Sequence, residues 1–151
     1  MQVWRICSRR YQRFDGEDAR VYGGRWNYAG TAVVYTSASL ALAALELFVH
    51  IDVDLLPNNL VAIAAEVPER LAVETVKAAS LPRNWRRYPA LESLKDIGTT
   101  WAAKGSTAIL TVPSAIIPEE QNYLLNPAHR DFKQVRLRRS IPFHFDPRMW
   151  K

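Results

Sequence analysis

Hydrophobic and polar positions alternate along this chain with two periods, and each period predicts its element. "QVWRIC" near the start alternates and is rich in β-formers, so it predicts a first strand. Residues 8–24 are polar, charged and glycine-containing, and predict a long loop. "AVVYT" at 32–36 predicts a short buried strand. The period then changes in "SASLALAALELFVHI", where Ser37 or Ser39 can cap and Ala and Leu favour a helix. Its run of apolar positions predicts burial on most sides. "NLVAIAAEV" at 59–67 predicts a second good strand, between "LPNN" and Pro68.

The later half continues in short pieces. "PRNWRRYP" predicts a basic, turn-rich loop. In "ALESLKDIGTTWAAKG", Leu91, Leu94, Ile97 and Trp101 form a helical stripe that ends at Gly105. "STAILTVPSAIIP" predicts a strand broken at Pro113, and "QNYLLNP" another short strand. "FKQVRLRRS" alternates, Val135 and Leu137 against Arg136 and Arg138, with "IPFHF" as a continuation. Short strands clustered late, with two main helices and no regular βαβ repeat, predict an α+β fold with a largely antiparallel or mixed sheet. No linker or repeat divides the chain, so residues 1–151 are expected to form a single domain.

Composition narrows the classes. A hydrophobic content of 48% with 23% charged residues excludes wholesale disorder. One cysteine, Cys7, rules out a disulfide within the chain and favours a reducing compartment. The N-terminal stretch lacks a signal-like apolar core, and no run is long enough for a membrane helix, so a cytoplasmic location without membrane contact is expected. Net charge is +5, and the excess sits at the ends. Residues 1–25 hold six arginines against three acids, and residues 130–151 hold seven basic residues against two acids. Such ends suit nucleic acid, an acidic partner or a phosphate-bearing ligand. A basic module binding nucleic acid without catalysis therefore stands as one reading, although no nucleic-acid motif accompanies it.

Candidate chemistry is sparse, and it centres on one carboxylate. Glu46 shares a face of the apolar helix with Leu42 and Val49. A buried carboxylate needs a cation, a donor or a ligand, so Glu46 either pairs with an arginine or faces a cleft. "GGRWNYAG" supplies a glycine turn that admits close backbone approach, followed by the planar fork of Arg25. It is neither a dinucleotide fingerprint nor a Walker loop. Three scattered histidines and a lone cysteine make no metal site, so no metal is expected. Ser114 lacks a nucleophile-elbow context, but Pro113 before it marks a strand edge or bend.

Read together, "VWRI", "GGRWN", "AVVYTS", "LALAALELFVH", "TVPSAIIPEEQNYLLNP" and "HRDF" resemble the RES-domain toxins of bacterial toxin–antitoxin pairs, over nearly the whole chain. The resemblance implies a split mixed β-sheet similar to the diphtheria-toxin-like ADP-ribosyltransferases. It implies NAD as a substrate, with no permanently bound cofactor. NAD would be depleted by hydrolysis or phosphorolysis, or its ADP-ribose transferred to a protein. It implies an Xre-type helix-turn-helix antitoxin as partner, a homodimer within that complex, and no direct nucleic-acid contact. By position, Arg25, Tyr35, Glu46 and Ser114 match the family's catalytic set. Arg5, Asn27, Ser37 and Asn122 are further candidates for NAD contacts.

Overall fold

A computed structural model describes residues 1–150. Its frame is one eight-stranded sheet: β1 (Gln2–Ser8), β2 (Val34–Ser37), β3 (Leu60–Glu66), β4 (Val73–Thr75), β5 (Ile109–Pro113), β6 (Gln121–Leu125), β7 (Arg136–Leu137) and β8 (Ile141–Pro142). The order is β4-β5-β6-β2-β1-β3-β7, with β8 also on β3. β4 and β5 run parallel, and every other pairing is antiparallel, so the expected mixed α+β sheet is present. Three α-helices accompany it: α1 (Glu17–Tyr22), α2 (Leu40–Phe48) and α3 (Glu92–Lys104).

One weak seam governs everything that follows. β1 pairs with β3 along seven residues, and β2 pairs with β6 along four. Between β1 and β2 a single pair, Trp4 with Ser37, joins the two halves. The strands part beside that pair, and the sheet is split there.

Each half has its own cover. β3 is buried on both faces, as its continuous apolar run predicts. Val61, Ile63 and Ala65 pack with Val3, Val34, Ile109 and Leu125. Leu60 and Ala62 cluster with Ile6 of β1, Ala43 of α2 and Phe145. On the other half, Trp26, Trp85, Leu94 and Trp101 pack with Leu110, Val112 and Leu124. α3 reaches that cluster because Gly98 presses on the backbone of Trp26; a Cβ at Gly98 would lie 1.9 Å from the Trp26 carbonyl oxygen.

Several expectations need correcting. Residues 8–24 are not a plain loop: they hold a 3-10 turn at Arg9–Tyr11 and the helix α1. α2 begins after the Ser39 cap, whose Oγ accepts from the Leu42 N–H at 3.1 Å, but burial on most sides fails. Only Leu42 and Ala43 are buried, and Val49 is 56% exposed just past its end. The alternating stretch 132–140 yields only β7, because Arg130–Gln134 coil into a 3-10 turn first. "IPFHF" contributes β8 as a separate pairing on β3 instead of prolonging that strand. β4, short and at the sheet edge, had no sequence signal strong enough to predict it. Among the described residues no helix is long and apolar enough to cross a membrane.

Candidate functional site

The parting of β1 and β2 opens a cleft of about 340 Å³, within the range of small-molecule sites. Arg5, Arg25, Tyr35, Ser37, Glu46 and Asn122 line it together, although they lie up to 117 positions apart in the chain. Ser114 and Asn27 do not line it: both side chains are fully buried directly behind residues that do.

Glu46 is held from the sheet side. Its Oε1 accepts from Ser114 Oγ at 2.7 Å and from Asn122 Nδ2 at 2.6 Å. Asn122 is fixed in turn by Ser37, whose Oγ donates to Asn122 Oδ1 at 2.8 Å. That bond follows from register, because Ser37 and Asn122 face each other across β2 and β6. Ser114 follows Pro113 at the end of β5 and closes a turn by accepting from the Ile116 and Ile117 N–H groups, each at 3.1 Å. A hydroxyl has one donor and two acceptor sites, so all three are engaged and Ser114 has none left for a ligand. Among the described residues no hydrogen bond falls on Glu46 Oε2. The carboxylate is thus oriented by one oxygen while the other is not held by protein.

The glycine pair shapes the second wall. Gly23 adopts φ 72°, the left-handed region that favours glycine, at the end of α1. Gly24 has another reason: a Cβ there would lie 2.7 Å from the Tyr35 hydroxyl. That hydroxyl accepts from the Trp26 N–H at 3.1 Å and donates to Asn27 Oδ1 at 2.6 Å. Asn27 Nδ2 bonds the carbonyls of Ala19, Tyr28 and Thr31, tying the whole loop to one amide. Burial pushes the Tyr35 phenol far above its usual 10, so it stays neutral through ordinary pH. With its hydroxyl engaged, Tyr35 offers the cleft its ring.

The two arginines differ. Arg25 Nη1 donates to the carbonyls of Trp85 at 3.0 Å and Arg87 at 2.9 Å, contacts that no motif announced. Burial lowers its pKa, with the charge of Glu46 the largest opposing influence, so the two charges share one environment. An arginine remains cationic under such a shift. Arg5 alternates with Trp4 and Ile6 on β1 and faces the gap where the strands part. It pairs with Asp18 of α1 at 2.6 Å. Asp18 was not among the sequence candidates, since nothing in "DGEDAR" separates it from its neighbours. Among the described residues no three His, Cys, Asp or Glu side chains gather as a metal site.

Comparison with known proteins places the chain in a family. The RES domain family matches residues 2–146. The "Prs ADP-ribosylating toxin" of Sphingobium sp. (strain YBL2) is 41% identical over 152 residues, 97% of this chain and 94% of its own. A "Toxin Res" of Yersinia enterocolitica is 38% identical, covering 99% of both chains. Among solved structures, the toxin–antitoxin complex MbcT–MbcA of M. tuberculosis matches in fold, with TM-score 0.73 at 18% identity, over 94% of this chain and 83% of that one. With its sequence matched almost from end to end, and with the split sheet in place, this chain belongs to the RES-domain family of toxins.

Proposed function

We propose that the cleft binds NAD and that the chain breaks the N-glycosidic bond between its ribose and nicotinamide. The observation that carries this reading is Glu46, a carboxylate fixed by Ser114 and Asn122 on the wall of a cleft that also holds two arginines. Breaking that bond leaves the electron pair on the nicotinamide nitrogen, which departs neutral. Positive charge develops on the ribose as in glycoside cleavage. A prepositioned carboxylate stabilises that charge without reorganising at the moment of reaction. No strong general acid is required of the side chains that line the cleft with Glu46, among them Asp18 and His50.

The remaining residues take supporting roles. Arg25 uses Nη1 to anchor itself and keeps the rest of its fork for a phosphate. The Tyr35 ring packs against nicotinamide or the ribose. Ser114 and Ser37 act through Glu46 and Asn122 by positioning them, and Asn27 acts through Tyr35 in the same way.

What accepts the ADP-ribose is a second choice on the same first step. Water or phosphate would make the chain an NAD-depleting enzyme. The name of the Sphingobium relative favours transfer to a protein as the alternative, with Prs as the acceptor to try first. Purified protein is incubated with NAD labelled in its adenylate part, with and without phosphate or cell extract, while free nicotinamide is followed. Release is expected; none under any of these conditions rejects the reading. Label in small products assigns hydrolysis or phosphorolysis, and label on a macromolecule assigns transfer.

For assembly, the solved neighbour is itself a toxin–antitoxin complex, and this supports an antitoxin partner here. We take that partner to be an Xre-type helix-turn-helix protein, with the toxin paired as a homodimer in the complex. Both proteins expressed together should co-purify, and the antitoxin should suppress nicotinamide release.

A further inference from the structure

Arg5 is a largely buried cation in the cleft with an unpaired donor. A guanidinium carries five N–H donors; Nη2 donates to Asp18 Oδ2 at 2.6 Å, and the Cys7 thiol is its other polar neighbour. Its Nε is buried without a partner, and the side chain is only 14% exposed. Cys7, two residues along β1, does not supply a counter-charge: burial pushes its thiol up despite the nearby Arg5, so it stays protonated at neutral pH. Asp18 is therefore the counter-ion, and it is a loosely held one. Its side chain is 56% exposed, on a helix of six residues slung between Gly16 and Gly23, both at φ 72°. Val21 and Tyr22 on that helix are also exposed, at 47% and 85%.

A carboxylate and a phosphate present the same paired oxygens to an arginine fork. We propose that Asp18 is an internal stand-in for a phosphate, and that Arg5 passes from Asp18 to the pyrophosphate of the incoming ligand. Arg5 is then the cleft's second anion-binding residue beside Arg25, and α1 is the latch that gives way. The nature of the ligand rests on the proposed function; the exchange itself needs only a pyrophosphate group.

The test uses inorganic pyrophosphate as the probe and the full chain, with affinity measured by calorimetry. Asp18→Asn is expected to tighten binding roughly 3- to 10-fold, because a half-exposed competitor is removed. Glu17→Gln, on the same helix but paired with Arg20, controls for net charge and is expected to change little. Arg5→Gln is expected to weaken binding at least about 10-fold and to abolish the effect of Asp18→Asn in the double variant. Unchanged or weaker binding by Asp18→Asn overturns the proposal, as does equal tightening by Glu17→Gln. If Arg5→Gln does not fold, the Asp18 and Glu17 arms decide the question alone. With NAD, Asp18→Asn should lower KM and leave kcat in place; a fall in kcat at unchanged KM contradicts the exchange. Pyrophosphate tightening in a protein that never releases nicotinamide would sink the proposed function and leave the latch standing.

Discussion

On one side of the cleft Glu46, half-buried, is tied to the sheet by two hydrogen bonds; on the other Arg5 and Asp18 meet across a seam. Glu46 sits on a capped helix packed on β1 and β2, and its partners come from the end of β5 and from β6. Ser114 is fully buried with every hydrogen-bonding site engaged. The opposite pair joins a strand to a six-residue helix through a single recorded bond, and leaves Arg5 Nε unpaired. The first arrangement fixes a charge before any ligand arrives, which is what electrostatic stabilisation of a developing cation requires. The second can exchange partners at low cost, which suits capture of an anion. Bond breaking and binding are thus assigned to walls of different rigidity.

Substitutions should separate the two walls. The largest effect is expected from Glu46→Ala, with nicotinamide release falling at least about 100-fold. Ser114→Ala comes next. It removes a donor from Glu46 and orphans two backbone N–H groups, so kcat should drop roughly 10-fold and stability by about 1–3 kcal/mol in denaturant unfolding. A Ser114→Ala protein with full kcat would show that Glu46 orients itself.

Tyr35→Phe should act on stability more than on chemistry. It leaves the Asn27 Oδ1 acceptor and the Trp26 N–H unpaired, at a cost of about 1–3 kcal/mol. Its pH signature has a definite sign. The folded phenol titrates above its unfolded value of 10, so the folded state holds the proton longer. This contribution is complete below pH 10 and is lost as pH rises past that value. Wild type should therefore lose melting temperature between pH 9 and 11 more steeply than Tyr35→Phe; equal slopes would contradict the buried neutral phenol. The smallest effect, and the one opposite in sign, is the lowered KM of Asp18→Asn. If that variant instead matched Ser114→Ala, the two walls would not be distinct.

The sequence showed what is local and regular. β3 reads as a continuous apolar run, and α3 as a stripe closed by Gly105, which takes φ 67°. Ser39 marks the start of α2. Elements too short to show a period were hidden: α1 with six residues and β4 with three. In the site, Glu46 stood out because a carboxylate is rare in so apolar a helix. Its two holders lie 68 and 76 positions away, and no spacing rule connects residues that only sheet pairing brings together. The resemblance to a family supplied that link before the fold did. It put Ser114 in the catalytic set, and the fully engaged hydroxyl fits the proposed positioning role toward Glu46. The Trp85 and Arg87 carbonyls that anchor Arg25 carry no side-chain signal at all.

The central claim is that Glu46 acts on the breaking bond and is not needed to hold the ligand. Wild type and Glu46→Gln, side by side, should be measured for NAD affinity by calorimetry and for nicotinamide release. The amide keeps the shape and an oxygen able to accept from Ser114 and Asn122, so NAD binding should persist within about threefold. Nicotinamide release should be lost in the variant and present in wild type. Comparable release by the two proteins, or loss of NAD binding in a folded Glu46→Gln, would contradict the account.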